Sequence, residues 1–466
     1  MFPEPFDVDD RSPAVEAMAQ AWPMIDALTA GTAAMRRGGR AFLPKWPNES
    51  DASYTTRLAT ATLFPAFART ASVMAAKPFA KPLGIDEATI PAPVRAFLDD
   101  VDLYGTDLQP YVADIFLACM LTGLAGVLVD YPPAADVRTR ADEQIAGTRP
   151  YFTTYPAASI LGWKARRSAA GSYLTQLRLE ENISEPDGEF GEKTIKQVRV
   201  LTPGAWQVWR KSRDVTGREV WAVWLDGTTT LDKVPFVFFY GLRKDFGIGA
   251  PPLLDLAHLN VEHWQSASDQ QTILHVARVP ILFAKGFDET DKLIIGASTA
   301  ATSSNADSDL RYVEHTGAAI GAGRQSILDL EDRMRQTGAE LLVQRPMTTT
   351  ATQVVSETEG SRSTLQKIVE DFEESLEDCI NLMGEWIGQP TDAEVHMFKD
   401  FGAANMSDKT GDLLLRARDS GVVSRETAFT ELRRMDVIST DIQWADEAKR
   451  IASDPPPDQV TVIEKG

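Results

Sequence analysis

The segment from Leu253 to Val279 limits what this chain can fold into more than any other. It reads as a helix of roughly 25 residues that ends before Pro280, and at 1.5 Å per residue it would run about 37 Å. Its centre, Gln265 to Thr272, is polar on nearly every side apart from Ala267. A helix inside an ordinary core keeps an apolar stripe throughout. This one is therefore expected between subunits or along a solvated surface.

Upstream, apolar residues recur at helical spacing from Val15 to Met35, with a break at Pro23, and again from Tyr54 to Met74, where Leu58, Ala61, Phe64 and Ala68 share a face. Leu108 to Leu121 reads as a buried helix after a capping Asp107, and it leads through Gly123 into a strand, Gly126 to Asp130. Six short β-branched or aromatic runs follow: Tyr151–Tyr155, Ser159–Lys164, Tyr173–Glu180, Lys196–Leu201, Trp206–Arg210 and Val220–Trp224. Val234 to Tyr240 closes this part as an apolar strand. Helices followed by a meandering antiparallel sheet make an α+β domain.

Downstream, Ile281 to Gly323 returns to short strands (Ile281–Ala284, Leu310–Glu314) and loops, a small module inserted between two helices. The second helix, Gln325 to Val343, puts Ile327, Leu330, Met334 and Leu341 on one face and stops at Pro346. A threonine-rich loop, Met347 to Thr350, precedes a long helical pattern from Ala351 to Trp386 with a soft point at Gly360. One face of that pattern is apolar, and the other carries Glu357, Glu359, Glu370, Asp371, Glu373, Glu374, Glu377 and Asp378. Val395 to Phe398 is a short strand, helices follow from Ser407 to Ile451 with an N-cap at Ser424, and the tail from Asp454 is expected to be disordered.

Forty-seven Lys and Arg stand against 67 Asp and Glu, a formal net charge of -20. Tight static binding of nucleic acid needs clustered cations, so this balance argues against it. The five histidines are His258, His263, His275, His315 and His396, and the three on the long helix miss the spacing of three or four that a zinc pair needs. No metal and no cofactor are expected. Cys119 and Cys379 read as buried reduced thiols. There is no phosphate loop and no Gly-x-Ser-x-Gly elbow, and Pro251 and Pro252 remove the amides that Gly247 and Gly249 would need for an anion nest. No catalytic residue emerges. The first ten residues lack a secretion signal, and the most apolar run, Ile115 to Val129, is too short to span a bilayer, so no membrane partner is expected.

The order of these parts resembles the portal proteins of tailed bacteriophages, and more narrowly a portal family first catalogued as a domain of unknown function. The resemblance rests on Asp102-Leu103-Tyr104-Gly105, on Gly123 to Pro132, on Arg149-Pro150-Tyr151 leading to Trp163, on Pro251 to Asn260 and on His275 to Pro280. It implies a dodecameric ring at one capsid vertex of the virion, assembled in the host cytoplasm, through which double-stranded DNA is packaged and ejected. The implied partners are further copies of the chain, the passing DNA, the terminase large subunit, the major capsid protein and a head-tail adaptor, with a scaffold protein as a further candidate.

The resemblance also implies a division into a wing (1–250), a first stem helix (251–279), a clip (280–324), a second stem helix (325–344) and a tunnel loop (345–352). A tunnel helix and wing return (353–402), a short helical crown (403–452) and a tail (453–466) complete it. The implied channel residues are Arg333, Arg335 and Arg345 with Thr348, Thr349 and Thr350; intersubunit salt bridges are the competing role for the arginines. The acidic face at Glu357, Glu359, Glu370 and Glu374 has three open readings: a plain solvated face, a magnesium-holding nuclease site, or a surface that repels passing DNA. The rival functions are accordingly a metal-dependent nuclease or hydrolase and another head-tail connector ring.

Overall fold

The computed structural model describes residues 7–86, 88–132, 148–169, 171–277, 281–286, 307, 309–313, 318–342, 363–401, 416, 418, 420, 423–434 and 442–453. The chain divides into two compact units, Met1–Met397 and Phe398–Gly466. It is a mixed helix and sheet protein of the α+β class.

Five helices open the first unit: α1 (Pro13–Ala19), α2 (Trp22–Ala30), α3 (Thr32–Gly38), α4 (Asp51–Thr60) and α5 (Ala66–Ala76). Pro23 sits in the first turn of α2, where its missing amide is no loss, so it starts that helix and does not break one. The single helical stretch expected from Tyr54 to Met74 is two helices. Pro65 cannot continue a hydrogen-bond ladder and pushes the residue before it out of helical backbone, so the chain is extended from Ala61 to Pro65.

After β1 (Gly84–Ile85) and α6 (Ala92–Phe97), the buried helix α7 (Leu108–Thr122) ends at Gly123, whose φ of 83° is the left-handed cap that an L side chain resists. A Cβ there would also lie 2.3 Å from the Ala250 carbonyl carbon. The strand β2 (Leu124–Asp130) then runs between β3 (Tyr151–Pro156) and β9 (Phe236–Tyr240), antiparallel to both.

The expected meander is a five-stranded antiparallel sheet in chain order: β4 (Ile160–Ser168), β5 (Gly171–Asp187), β6 (Gly191–Thr202), β7 (Ala205–Arg213) and β8 (Glu219–Thr228). β5 continues past Glu180, its expected end, because its outer half pairs residue for residue with β6, Ile183 opposite Ile195. A small pair, β10 (Leu242–Asp245) and β11 (Ile248–Ala250), leads on to the long helix α8 (Leu254–Ala277).

The layers follow from the period of two in β9. Phe236, Phe238 and Tyr240 pack with Leu177, Leu179 and Leu201 of the five-stranded sheet. Phe239 points the other way, its ring 4.7 Å from Phe372. Phe372 lies on a helix that also meets α7 through Phe116, at 5.0 Å. The order is thus helices, three-stranded sheet, five-stranded sheet. A polar chain crosses between the sheets: Arg199 binds Asp130 at 2.7 Å and Glu181 at 2.8 Å, and the Tyr155 hydroxyl donates to Glu181.

Beyond α8 come β12 (Ile281–Lys285), β13 (Asp309–Val313), α9 (Ala318–Ala339) and α10 (Thr364–Trp386), the helix that carries Phe372. Of the long pattern expected from Ala351, the described part is α10, which starts at Thr364. Ser363 is an extended N-cap in a capping box with Gln366, and residues 351–362 lie outside the described residues. In the second unit, α11 (Arg425–Arg434) and α12 (Trp444–Ser453) meet through Phe429 and Trp444 at 5.4 Å. The expected cap is present: Ser424 Oγ accepts from the Thr427 amide at 3.0 Å.

Three side chains on α10 hold the strand β14 (Val395–His396) in place. Glu373 accepts from the Met397 amide at 2.6 Å, Glu377 from Val395 at 2.9 Å and Asn381 from Ala393 at 2.9 Å. The match is metric. Four residues of helix rise about 6 Å, and two residues of strand span about 6.7 Å, so every fourth side chain meets every second amide. The opposite edge of β14 pairs with β1.

Burial holds Glu377 above the ordinary glutamate range, the Glu373 charge adds to the rise, and the Val395 amide opposes it. The folded state therefore takes up this proton more readily than the unfolded chain, so Glu377 adds stability as pH falls from neutral and removes it as pH rises. Glu377→Gln keeps the acceptor and loses the charge. Its denaturation midpoint should stay level or rise at pH 7, and its gain between pH 7 and pH 5 should shrink. Glu377→Leu leaves the Val395 amide unpaired and should lose about 1–3 kcal/mol in the same measurement.

Candidate functional site

The two long helices form an antiparallel hairpin. Leu256 of α8 lies against Gly338 of α9, His263 faces Glu331, and Gln270 faces Gly323. The second helix starts at Ala318, not at Gln325 as expected, because Gly321 and Gly323 are helical. Gly323 has a packing reason: a Cβ there would sit 2.1 Å from Gln270 Oε1, whose amide nitrogen donates to the Ile320 carbonyl at 3.0 Å. β12 and β13 pair antiparallel at the far end of the hairpin, Ile281 opposite Val313.

The polar centre of α8, expected at a subunit boundary or in solvent, is partly buried inside the chain. Asn260, fully buried, accepts from the Phe67 amide at 2.9 Å and donates to the Phe64 carbonyl at 2.8 Å. The Phe67 amide is left over by the Pro65 break, since the first amides of α5 have no helical partner and Pro65 offers no side-chain cap; the Phe64 carbonyl also accepts from the Ala66 amide at 2.9 Å. Gln265 donates to the Phe42 carbonyl at 2.9 Å.

Next to it, Arg57 and Glu49 form an ion pair at 2.8 Å, 3% and 1% exposed. Arg57 also donates to the Pro44 carbonyl at 2.8 Å, lies 4.2 Å over the Trp46 ring and comes within 3.6 Å of Asp269. The Arg57 hydrogen bond holds Glu49 below the usual carboxylate range, whereas burial raises Asp269. The helix is polar because its neighbours are frayed backbone and buried charge.

Two of the sequence-derived channel residues lie on α9. Arg333, 56% exposed, is 3.6 Å from Glu262 across the hairpin, and Arg335, 67% exposed, bonds Asp332 and, at 3.4 Å, Glu331 on its own helix. Both therefore pair within the chain. Arg345, Thr348, Thr349, Thr350, Glu357 and Glu359 lie outside the described residues. The turn Glu340–Leu342, which follows α9, packs on α10. Glu370 is half-buried and Glu374 exposed on α10. The acidic face is thus not wholly solvated, since Glu373 and Glu377 serve β14.

His263 is buried against the Phe64 ring at 5.2 Å and 3.5 Å from Glu331, while His258 and His275 are exposed. Cys119 and Cys379 are free and buried. No helix among the described residues is long and apolar enough to cross a membrane. Sequence reasoning missed Asn260, Arg57, Glu373 and Glu377. Only Asn260 left a signal, as an amide one turn from apolar neighbours on a helix whose partner chain contains a proline break.

Residues 252–387 match a family model described as a domain of unknown function, DUF4055. No curated protein matches the chain. Among solved structures, a chain of the virion of a native gene transfer agent particle is similar at 13% identity and a TM-score of 0.43, covering 89% of this chain and 98% of that one. A chain in the neck of the native particle, computed with C12 symmetry, gives 12% and 0.39, covering 86% and 98%. One in the neck of the empty particle, computed with C6 symmetry, gives 12% and 0.37, covering 86% and 93%.

Asn260→Ala orphans the Phe67 amide and should lower stability by about 1–3 kcal/mol, read from urea denaturation. Asn260→Asp, which keeps only the acceptor, should fall between it and the parent. Arg333→Gln breaks an exposed pair and should change the same midpoint by no more than about 0.5 kcal/mol.

Proposed function

We propose that the chain is a portal subunit, and that about twelve copies form a ring whose central hole passes double-stranded DNA during packaging and ejection at one capsid vertex. The observation that carries this reading is the helical hairpin α8–α9. It stands between an α+β domain and a two-stranded module at its far end, and the residue order matches the wing, stem and clip of the portal resemblance. The threonine-rich segment follows the second hairpin helix in sequence, where the portal resemblance puts the tunnel loop. In this reading Arg345 and Thr348 to Thr350 border the channel, and Arg333 and Arg335 are stem residues held in intrachain pairs.

The charge fits a conduit. Twelve chains of -20 would carry about -240, a field that opposes adhesion of DNA to the wall while leaving it free to slide. Terminase would engage the clip during packaging and head-tail adaptors afterwards, with the capsid around the wing. The nuclease alternative is weakened, because Glu373 and Glu377 are committed to the amides of β14 and neighbouring residues.

Negative-stain imaging of the purified chain tests the reading. Rings with a central hole and about twelve-fold symmetry are expected, and a compact monomer at high concentration would overturn it. With magnesium or manganese and linear DNA, no cleavage should appear, and cleavage abolished by Glu374→Gln would favour the nuclease.

A further inference from the structure

At one end of the five-stranded sheet the β5–β6 hairpin turns through Gly188 to Phe190, and Phe190 is 94% exposed at its apex. The turn is built for that shape. Gly188 has a φ of 75°, and a Cβ on Gly191 would lie 2.5 Å from the Asp187 carbonyl oxygen. Asp187, Glu189 and Glu192 flank it in sequence and, with Lys193 next, leave the turn net acidic; Glu192 accepts from the Ser184 hydroxyl at 2.7 Å. The β7–β8 turn at the same end also exposes an apolar apex, Val215.

On one face of the same sheet, beside the N-terminal strap Asp7–Ser12, lies a cleft of about 580 Å³. Val8, Val200 and Trp209 give it apolar walls, and Lys164, Gln207 and Arg178 lie along it. Arg178 also holds the strap, donating to the Val8 carbonyl at 2.7 Å. Asp7 in its lining accepts from the Val8 amide at 2.7 Å, and Asp9 and Asp10 of the strap offset Arg178, so the exposed Lys164 carries the positive charge of the cleft edge. An acidic loop with a phenylalanine apex is complementary to a tryptophan-walled cleft with Lys164 at its edge.

The two cannot meet within one molecule. Arg178 and Asp187 lie on the same strand, nine residues apart, which at 3.3 Å per residue separates them by about 30 Å. We propose that the β5–β6 apex of one copy docks into this cleft on the next copy. Knob and socket are different surfaces, so the contact is head-to-tail, and such contacts close into rings or run on as filaments. Its closure rests on the ring reading above. One hairpin tip covers far less than the roughly 1,200–2,000 Å² of a stable interface, so it acts as a directional latch inside a larger contact.

Paired cysteines in the full chain test the latch, since Cys119 and Cys379 are buried. Glu189 and Gln207 are exposed, so replacing them leaves the core alone and Phe190 in place. On mild oxidation, Glu189→Cys combined with Gln207→Cys should give a ladder of covalent oligomers on a denaturing gel, and each single variant at most a dimer. Phe190→Ser should lower the assembled fraction several-fold at fixed concentration. Rings by microscopy without a ladder overturn the latch, leave the ring reading intact and assign the cleft to a segment of another protein. A ladder from open filaments upholds the latch against the ring reading. Neither rings nor a ladder overturns both.

Discussion

Asn260 is the joint on which the arrangement of long helices depends. A helix of this length with a polar centre is unstable in a core unless each buried polar group finds a partner. Asn260 and Gln265 find theirs at the ends of other helices, whereas Trp264 Nε1, Ser268 Oγ and both His263 ring nitrogens on the same helix are buried without a hydrogen bond among the described residues. The Pro65 break between α4 and α5 leaves the Phe67 amide without a helical partner, and one carboxamide binds it and the Phe64 carbonyl together. Gln265 does the same for Phe42, and the Arg57–Glu49 pair fills the neighbouring space. The base of the hairpin is thereby fixed to the N-terminal domain by directional bonds, which set its rotation as well as its position. Apolar packing alone tolerates sliding more readily, and a part that must stand in a defined direction benefits from the difference.

A second metric match, between α10 and β14, works by the same means. The amphipathic pattern of α10 puts Leu365, Val369, Phe372, Leu376 and Cys379 into the core, while Glu373, Glu377 and Asn381 meet strand amides. Acidity on this helix is therefore of two kinds. Part of it holds the fold, and part, Glu374 among it, faces solvent. The overall charge belongs to the second kind and speaks to what the surface repels, whereas the first speaks only to how the chain closes.

Much of the fold was legible because its signals are local. Alternation marked β4 to β8, Pro280 and the Gly-Pro run before Leu253 bounded α8, and Ser424 announced its own helix. What stayed hidden was non-local or ambiguous in kind. Gly321 and Gly323 read as loop, yet both are helical, and the space Gln270 takes accounts for the glycine at 323. Apolar spacing continues from Tyr54 through Pro65, although the proline divides the helix there. The partners of Asn260 are 193 and 196 residues away, and no window along the chain connects them. The Ser363–Gln366 capping box was written locally and marks the start of α10, but the longer apolar period ran over it. Of the candidate channel residues, Arg333 and Arg335 lie on α9, and their pairing within the chain is beyond what spacing reveals.

The central claim is that the hairpin of α8 and α9 forms the wall of a conduit. A three-dimensional reconstruction of the assembled protein, at a resolution that separates helices, tests it most directly. The account predicts that the hairpins run side by side along the hole with the five-stranded sheets at the periphery. A ring whose hole is bordered by the sheets, with the hairpins directed outward, would contradict it.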